Sequence, residues 1–405
     1  MQDGAHGLCL GMSDNGAHRQ CSYPSGLAVF MNPVVPCVPI SLFLCGDVMT
    51  GRGIDQILPH PSRPHLFEPY VRSATDYVEL AERTTGPIKK PVDFAYVWGD
   101  ALAELERFRP DVRIANLETS ITTSEDAWHG KGIHYRMNPA NLPCLIAARL
   151  DCCILANNHV MDWGRRGLAE TLASLRQAGI CVAGAGRNES EASAPASMEV
   201  AGRGRVLVHA FAMASSGVPW EWAASKDTGG INFLKDLSSR TADAIARRVR
   251  GEKRAGDIVI VSVHWGSNWG FEIPQEQRAF AQRLIETAEV DVVHGHSSHH
   301  VKGIEVYRQR PIVYGCGDFL NDYEGIGGHE AYRSDLSLMY FPTIDASTGR
   351  LLRFALSPTR IGRFQVNRAP EEAVCWLIRT LNREGKKLGT QVERQADDTL
   401  LLDWD

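Results

Sequence analysis

Short apolar runs in this chain stop, one after another, at residues with a charge or a lone pair. Ile40–Cys45 stops at Gly46-Asp47, Val112–Leu117 at Glu118, and Asp151–Ala156 at Asn157-Asn158-His159. Ile258–Val263 stops at His264, Val290–Val293 at His294-Gly295-His296, and Pro311–Tyr314 at Gly315-Cys316-Gly317-Asp318. Apolar runs of this length read as buried strands. Between them lie helical patterns: Asp93–Phe108, Gly167–Ala178 with Gly179 as its stop, the basic-faced Thr241–Arg250, and a segment from Pro274 to about Ala288. Alternating strands and helices predict an α/β fold. Open α/β sheets bind ligands at the C-terminal ends of their strands, so these polar strand ends are candidates for one shared site.

The chain can build a core large enough to hold such a site. It has 405 residues, 44% hydrophobic and 22% charged, which is ordinary for a globular protein. Its formal net charge of -5 gives no reason to expect nucleic acid as a partner. There is no internal repeat and no low-complexity linker, so one large domain over 40–362 is expected. Residues 1–39, rich in Gly, Ser, Asn and Pro, read as an irregular tail, or as a misplaced start with Met31 as the alternative. Residues 363–405 read as a helical appendage. The nearest approach to a membrane span, Gly26–Cys45, is interrupted by Pro33, Pro36 and Pro39, short of the about 20 apolar residues a span requires. A soluble, cytoplasmic protein without a membrane span is therefore expected. The ten cysteines form no C-x-x-C pair, and buried thiols in a reducing compartment explain them best.

A lone Asp after a strand is ordinarily a turn residue, and a lone buried His is ordinarily a satisfied core residue. Several strand ends carrying Asp, Glu, Asn and His together point to a divalent metal, because carboxylates, amide oxygens and neutral imidazoles suit such ions. Manganese, iron, zinc and calcium are the candidates, as one ion or two.

The residues also resemble a family. Gly46-Asp47-Val48-Met49, Asn116-Leu117-Glu118, Ala156-Asn157-Asn158-His159, His264-Trp265-Gly266 and Gly295-His296-Ser297-Ser298-His299 occur in that order between Ile40 and Tyr323. As an ordered set they resemble the CapA-like branch of the calcineurin-like metallophosphatase superfamily, named for capsule and poly-γ-glutamate synthesis. The resemblance implies a four-layered α/β/β/α sandwich and a dinuclear metal centre. By position it implies Glu118 as the bridging acid and Asp47 as a ligand of one metal. Asn158, His159, His264, His296 and His299 would be shared between holding metal and catalysis. Two departures stand out: the superfamily's Asp-x-His reads Asp47-Val48-Met49 here, and its Gly-Asp motif reads Asn116-Leu117-Glu118. Met49 is a poor ligand for a hard cation, which predicts one weak or empty metal position and speaks against plain phosphoester hydrolysis.

Other residues have two readings each. Asp318 is a candidate base or a turn residue. Arg52 and Arg136 are candidate clamps for a substrate carboxylate or phosphate, or members of surface ion pairs. Asp162 orients His159 or caps a turn; His294 and His300 are candidate partners of ligating groups; Trp265 and Trp269 line a pocket or pack in the core. Three enzymatic readings follow: capsule or polyglutamate polymer handling, phosphoester hydrolysis, and abstraction of a Cα proton from a peptide, as in CapA-like epimerases found with lasso-peptide precursors. The expected substrate is correspondingly a peptide, polyglutamate or a small phosphorylated molecule. A non-catalytic metal-containing scaffold is the fourth reading, and the mixed oxygen and nitrogen ligands disfavour it, since structural zinc sites close with Cys and His.

Overall fold

A computed structural model describes residues 38–404. Met31 and the expected tail, apart from its last two positions, lie outside the described residues.

The alternation of side chains along the second sheet shows how the layers arise. Residues two apart on a strand share a face. Val206, Val208, Ile258, Ile260, Val292 and Val313 turn toward the first sheet and join the main core. Leu207, Val259, Val261, Val263, Val293 and Ile312 turn the other way, against Ala242, Ala246, Val249, Phe280, Ala281 and Leu284. Those last six residues come from the helices Ser239–Glu252 and Gln275–Ala288, which form the outer layer on that side. On the other side, Val78, Leu105, Leu168 and Leu172, from the helices Ala74–Thr85, Asp100–Phe108 and Gly164–Gln177, complete the core of the first sheet. The result is a four-layered α/β/β/α sandwich.

The strands that matter for the site are β1 (Pro39–Val48), β2 (Val112–Leu117), β3 (Cys152–Ile154), β4 (Ile258–His264), β5 (Val292–His296) and β6 (Asp318–Leu320). In the ten-stranded first sheet β1 is parallel to β2 and to β6, and β2 to β3. In the six-stranded second sheet β4 and β5 are parallel neighbours. All six therefore send their C-terminal ends toward one edge of the sandwich.

Several expectations need correction. The helix expected over Asp93–Phe108 is a 3-10 turn, Tyr96–Trp98, and a separate helix from Asp100. Gly99, at φ 44°, breaks it. The strand expected over Ile40–Cys45 runs on to Val48, so Asp47 lies inside it. The segment 363–405 is not a helical appendage. One helix, Glu371–Gly385, is flanked by strands Gln365–Arg368, Thr390–Arg394 and Leu400–Trp404, which continue the first sheet beyond the hairpin of Leu336–Asp345 and Arg350–Gly362. Only Val392, Leu400 and Leu402 of the last two strands are buried apolar anchors, too few to stand out in a polar stretch. No helix among the described residues is long and apolar enough to cross a membrane.

Candidate metal centre

Strand register sets the geometry. His264 and His296 are direct partners across β4 and β5. They share the inward face with Ile258 and Ile260, so both rings point at the first sheet. There, Asp47 and Asp318 are direct partners across β1 and β6. A bulge between Cys45 and Asp47 re-aims the end of β1. It depends on Gly46, where an added Cβ would lie 1.8 Å from the Gly317 carbonyl oxygen. Glu118 follows β2 and donates its backbone N–H to the Val48 carbonyl, 3.0 Å. This brings its carboxylate beside Asp47.

Two asparagines hold the acids. The Asn116 amide donates to Asp47 Oδ1 (2.7 Å) and to Glu118 Oε2 (3.1 Å). Asn157 donates to Asn116 Oδ1 (3.1 Å), and its own Oδ1 accepts from the backbone N–H groups of His159 and Val160. Asp47, Glu118 and Asp318 are all buried. Burial, together with Asp318, pushes the Asp47 carboxyl up to about 7. Burial, then Asp47 and Asp318, pushes Glu118 well above the carboxylate range.

Hydrogen bonds assign the histidine tautomers. His294 Nε2 faces the Cys45 carbonyl at 3.1 Å and must donate. Its Nδ1 therefore accepts from Ser262 Oγ–H, 3.1 Å. Ser262 Oγ in turn accepts from His296 Nε2–H, 2.8 Å. His264 Nε2–H donates to Asn158 Oδ1, 3.2 Å. His264 and His296 are thus left with bare Nδ1 atoms, and these face each other at 2.7 Å. Burial is the main cause keeping both rings neutral, reinforced by neighbouring imidazoles. Two lone pairs at this distance repel unless a cation lies between them.

His159 and His299 flank this pair. His159 Nδ1–H donates to Asp162, 2.7 Å, and its Nε2 stands 3.8 Å from Glu118 Oε1. Lys131 braces the arrangement by donating to Asp162 Oδ1 and to the Asn158 carbonyl. Burial holds His159 down at about 4 against the pull of Asp162. His299 Nδ1 pairs with Asp318 Oδ1 at 2.8 Å, and Asn321 donates to Asp318 Oδ2 at 2.8 Å. Burial lowers the His299 pKa, but Asp318 and Asp47 together outweigh it and leave it raised.

The donor set fits a divalent cation. Asp47, His264 and His296 each offer a ligand atom, all within 4.8 Å of one another, and so do Asp47, His299 and Asp318. Asp47 Oδ2 is buried with no hydrogen-bond partner. No Lys or Arg among the described residues forms an ion pair with Asp47, Glu118 or Asp318. Buried carboxylates are ordinarily paired or bound to metal.

Of the residues expected at the site, Asp47, Glu118, Asn158, His159, His264, His296, His299 and Asp318 come together. Asn158 joins them through its Oδ1, 3.2 Å from His264 Nε2. Arg52 lines a cavity of about 640 Å³ beside His159 and His299, but its guanidinium is committed. It forks onto Asp322, reaches Glu68 and Tyr77, and lies against the Tyr77 and Tyr135 rings. Arg136 is not brought to this cavity; it is buried, donates to the Ser124 and Arg63 carbonyls and stacks on Trp163. The expectation of two free substrate clamps therefore gives way to two internally bonded arginines. Trp269 does line the cavity, as do Lys131 and Tyr323. Sequence reasoning missed Lys131 because it lies in a loop with no periodic signal. Asn116 and Ser262 were hidden inside apolar strands, although a polar residue in such a run is itself a signal.

Comparison with known proteins places the chain among capsule-synthesis proteins. Residues 41–323 match the family model described as "Bacterial capsule synthesis protein PGA_cap". A probable polyglutamine synthesis accessory protein of Mycobacterium tuberculosis is 48% identical over 362 residues, covering 89% of this chain and 95% of the relative. The PGA biosynthesis protein CapA of Bacillus subtilis is 25% identical, over 90% of this chain and 83% of its own. A phosphatase crystal structure from Mycoplasma pneumoniae is similar over 83% of this chain and 96% of that one, at 12% identity and a TM-score of 0.45.

Proposed function

The chain belongs to the PGA_cap family of bacterial capsule synthesis proteins, and from that premise we propose that it is a metal-dependent enzyme acting on capsule polymer, polyglutamate or a related peptide. The observation that carries this reading is the facing pair of bare Nδ1 atoms on His264 and His296, 2.7 Å apart beside the uncompensated Asp47. Asp47, His264 and His296 would hold the cation, with Glu118 adjoining them. Such an ion supplies Lewis acidity toward a carbonyl or phosphoryl oxygen. Manganese or iron suits the mixture of carboxylate and imidazole.

The remaining groups have roles that follow from their contacts. Asp162 and Lys131 fix His159 with Nε2 bare, so His159 is placed to accept or return a proton there. Asn158 and Ser262 fix the tautomers of His264 and His296. The cavity rim of Tyr70, Ile133 and Ile326 is apolar enough to shed water from a bound chain.

A second reading is proton exchange at a peptide Cα. His159 and His299 both line the cavity, which gives two imidazoles for one carbon. Incubation of the Mn²⁺-loaded protein with γ-glutamyl oligomers and unrelated peptides in deuterated water, read by mass spectrometry, separates the cases. Cleavage supports hydrolysis, deuterium at Cα supports exchange, and the Glu118→Gln variant is expected to lose either. If activity persists in Glu118→Gln and after chelation, the catalytic reading is wrong.

A further inference from the structure

The three donors Asp47, His299 and Asp318 lie apart from the pair His264 and His296, and only Asp47 belongs to both groups. The proposed function puts its cation on Asp47, His264 and His296 and leaves Asp318 without a role. Its position is nonetheless built with care. It opens β6, whose parallel pairing with β1 sets Asp318 level with Asp47. Its backbone can come this close because Gly317, at φ 78°, turns the chain just before it. Asn321 fixes one carboxylate oxygen, and the other faces His299 Nδ1 at 2.8 Å. Two donors on one ion, each about 2.1 Å from it, lie about 3 Å apart, so this spacing suits a shared cation as well as a hydrogen bond.

Two further facts point to a ligand. Asp47 Oδ2 is wholly buried and has no partner, although Asp47 Oδ1 is already taken by Asn116. The nearby Met49, whose sulfur receives the Tyr323 hydroxyl at 3.6 Å, offers no nitrogen or oxygen. Tyr323 stands edge-on to His299, with ring centres 5.4 Å apart. The corner formed by Met49, Tyr323 and His299 therefore has one imidazole and two carboxylates, and the nearest guanidinium, Arg52, 5.8 Å from the Tyr323 ring, is committed to Asp322 and Glu68.

We infer that Asp318 is a metal ligand, closing with Asp47 and His299 a second divalent-cation site that shares Asp47 with the first. It takes the place of the nitrogen donor that Met49 does not provide. Two carboxylates and one imidazole favour a hard or borderline ion such as Mn²⁺ over a thiophilic one. This inference rests on the proposal that His264 and His296 hold a cation, and under it the position expected to be weak or empty at Met49 is filled.

The test counts metal rather than turnover. Full-length protein is stripped with chelator and dialysed against Mn²⁺, and bound manganese per chain is measured. Wild type is expected to bind two ions, Asp318→Asn one, and His264→Ala one. Asp318→Asn combined with Met49→His is expected to regain the second ion. In parallel, the electron paramagnetic resonance spectrum should change from that of a coupled pair to that of an isolated Mn²⁺ in Asp318→Asn. Asp318→Asn is nearly isosteric, and an unchanged circular dichroism spectrum and melting curve in chelator exclude misfolding. If wild type and Asp318→Asn bind the same number of ions, whether one or two, Asp318 is not a ligand, and the first site stands. If wild type binds none, the proposed function falls with this inference.

Discussion

At the starts of the parallel strands, Asp111, Asp151, Asp257 and Asp291 each accept a hydrogen bond that ties them to a neighbouring strand or loop, and all but Asp151 pair with a cation. Asp111 accepts from the Ser41 backbone and from Arg203, and Asp151 from the Arg113 backbone. Asp257 accepts from Arg205 and the Arg254 backbone, and Asp291 from Lys253 and the Val259 backbone. At the opposite ends, Asp47, Glu118 and Asp318 face amides, imidazoles and one another. The residue type and the position beside a strand are the same, and the surroundings differ. Three of the four strand-start acids, Asp111, Asp257 and Asp291, are neutralised by an arginine or a lysine, and Asp151 is held by a backbone N–H alone. The acids at the strand ends have no such partner, which is what a site waiting for a cation requires.

The largest effect should come from making the same substitution at both ends, without metal. Asp291→Asn takes the carboxylate from Lys253, which keeps only the Glu289 carbonyl, and should cost about 3 kcal/mol, the low end for breaking a largely buried pair. Asp47→Asn relieves repulsion from Asp318 and should cost less than about 1 kcal/mol, or stabilise. Urea unfolding in chelator measures both. Equal losses would erase the distinction between the two ends.

Next in size is the support behind the ligands. Asn158→Ala removes the acceptor that holds the His264 tautomer, and Mn²⁺ affinity should fall about 10–100-fold. Titration calorimetry would read it, and an unchanged affinity would remove Asn158 from that role.

Acidification gives a graded effect. Burial keeps His159, His209, His294 and His300 at about 4 in the folded chain, against an ordinary value of about 6.5 in the unfolded one. Between those values the unfolded chain binds more protons, so stability is full above the unfolded value and is lost as pH falls toward the folded one. Asp47 and Glu118, raised by burial, take up protons in the folded chain and oppose this loss, so melting of the metal-free Asp47→Asn, Glu118→Gln double variant from pH 7 to pH 4 should show the decline, and a flat profile there would contradict the assigned neutral rings. The smallest effect is expected for Arg136→Gln. It should cost about 1 kcal/mol through two lost carbonyl hydrogen bonds and leave the metal count unchanged.

Much of this arrangement was visible in the residue order. Apolar runs that end in Asp47, Glu118, His264 and His296 mark both the strands and the site, because burial and strand ends leave a one-dimensional trace. The partners left no such trace. Arg52 and Arg136 look like free cations until Asp322, 270 residues along the chain from Arg52, and the Ser124 carbonyl are seen to claim them. The pairing of Asp47 with Asp318 depends on the bulge at Gly46 and on β6 lying against β1, which no local pattern encodes. The C-terminal strands were unreadable for a similar reason, since they are stabilised by joining an existing sheet rather than by their own composition.

The central claim is that the strand-end acids and imidazoles are completed by a cation. It is tested most directly by thermal unfolding of wild type and Asp47→Asn, each with chelator and with Mn²⁺ at a hundredfold excess over its dissociation constant for wild type. Wild type should gain about 2.7 kcal/mol of stability with the metal, while Asp47→Asn gains little. Identical melting of wild type with and without Mn²⁺, and with the other candidate divalent ions, would contradict the account.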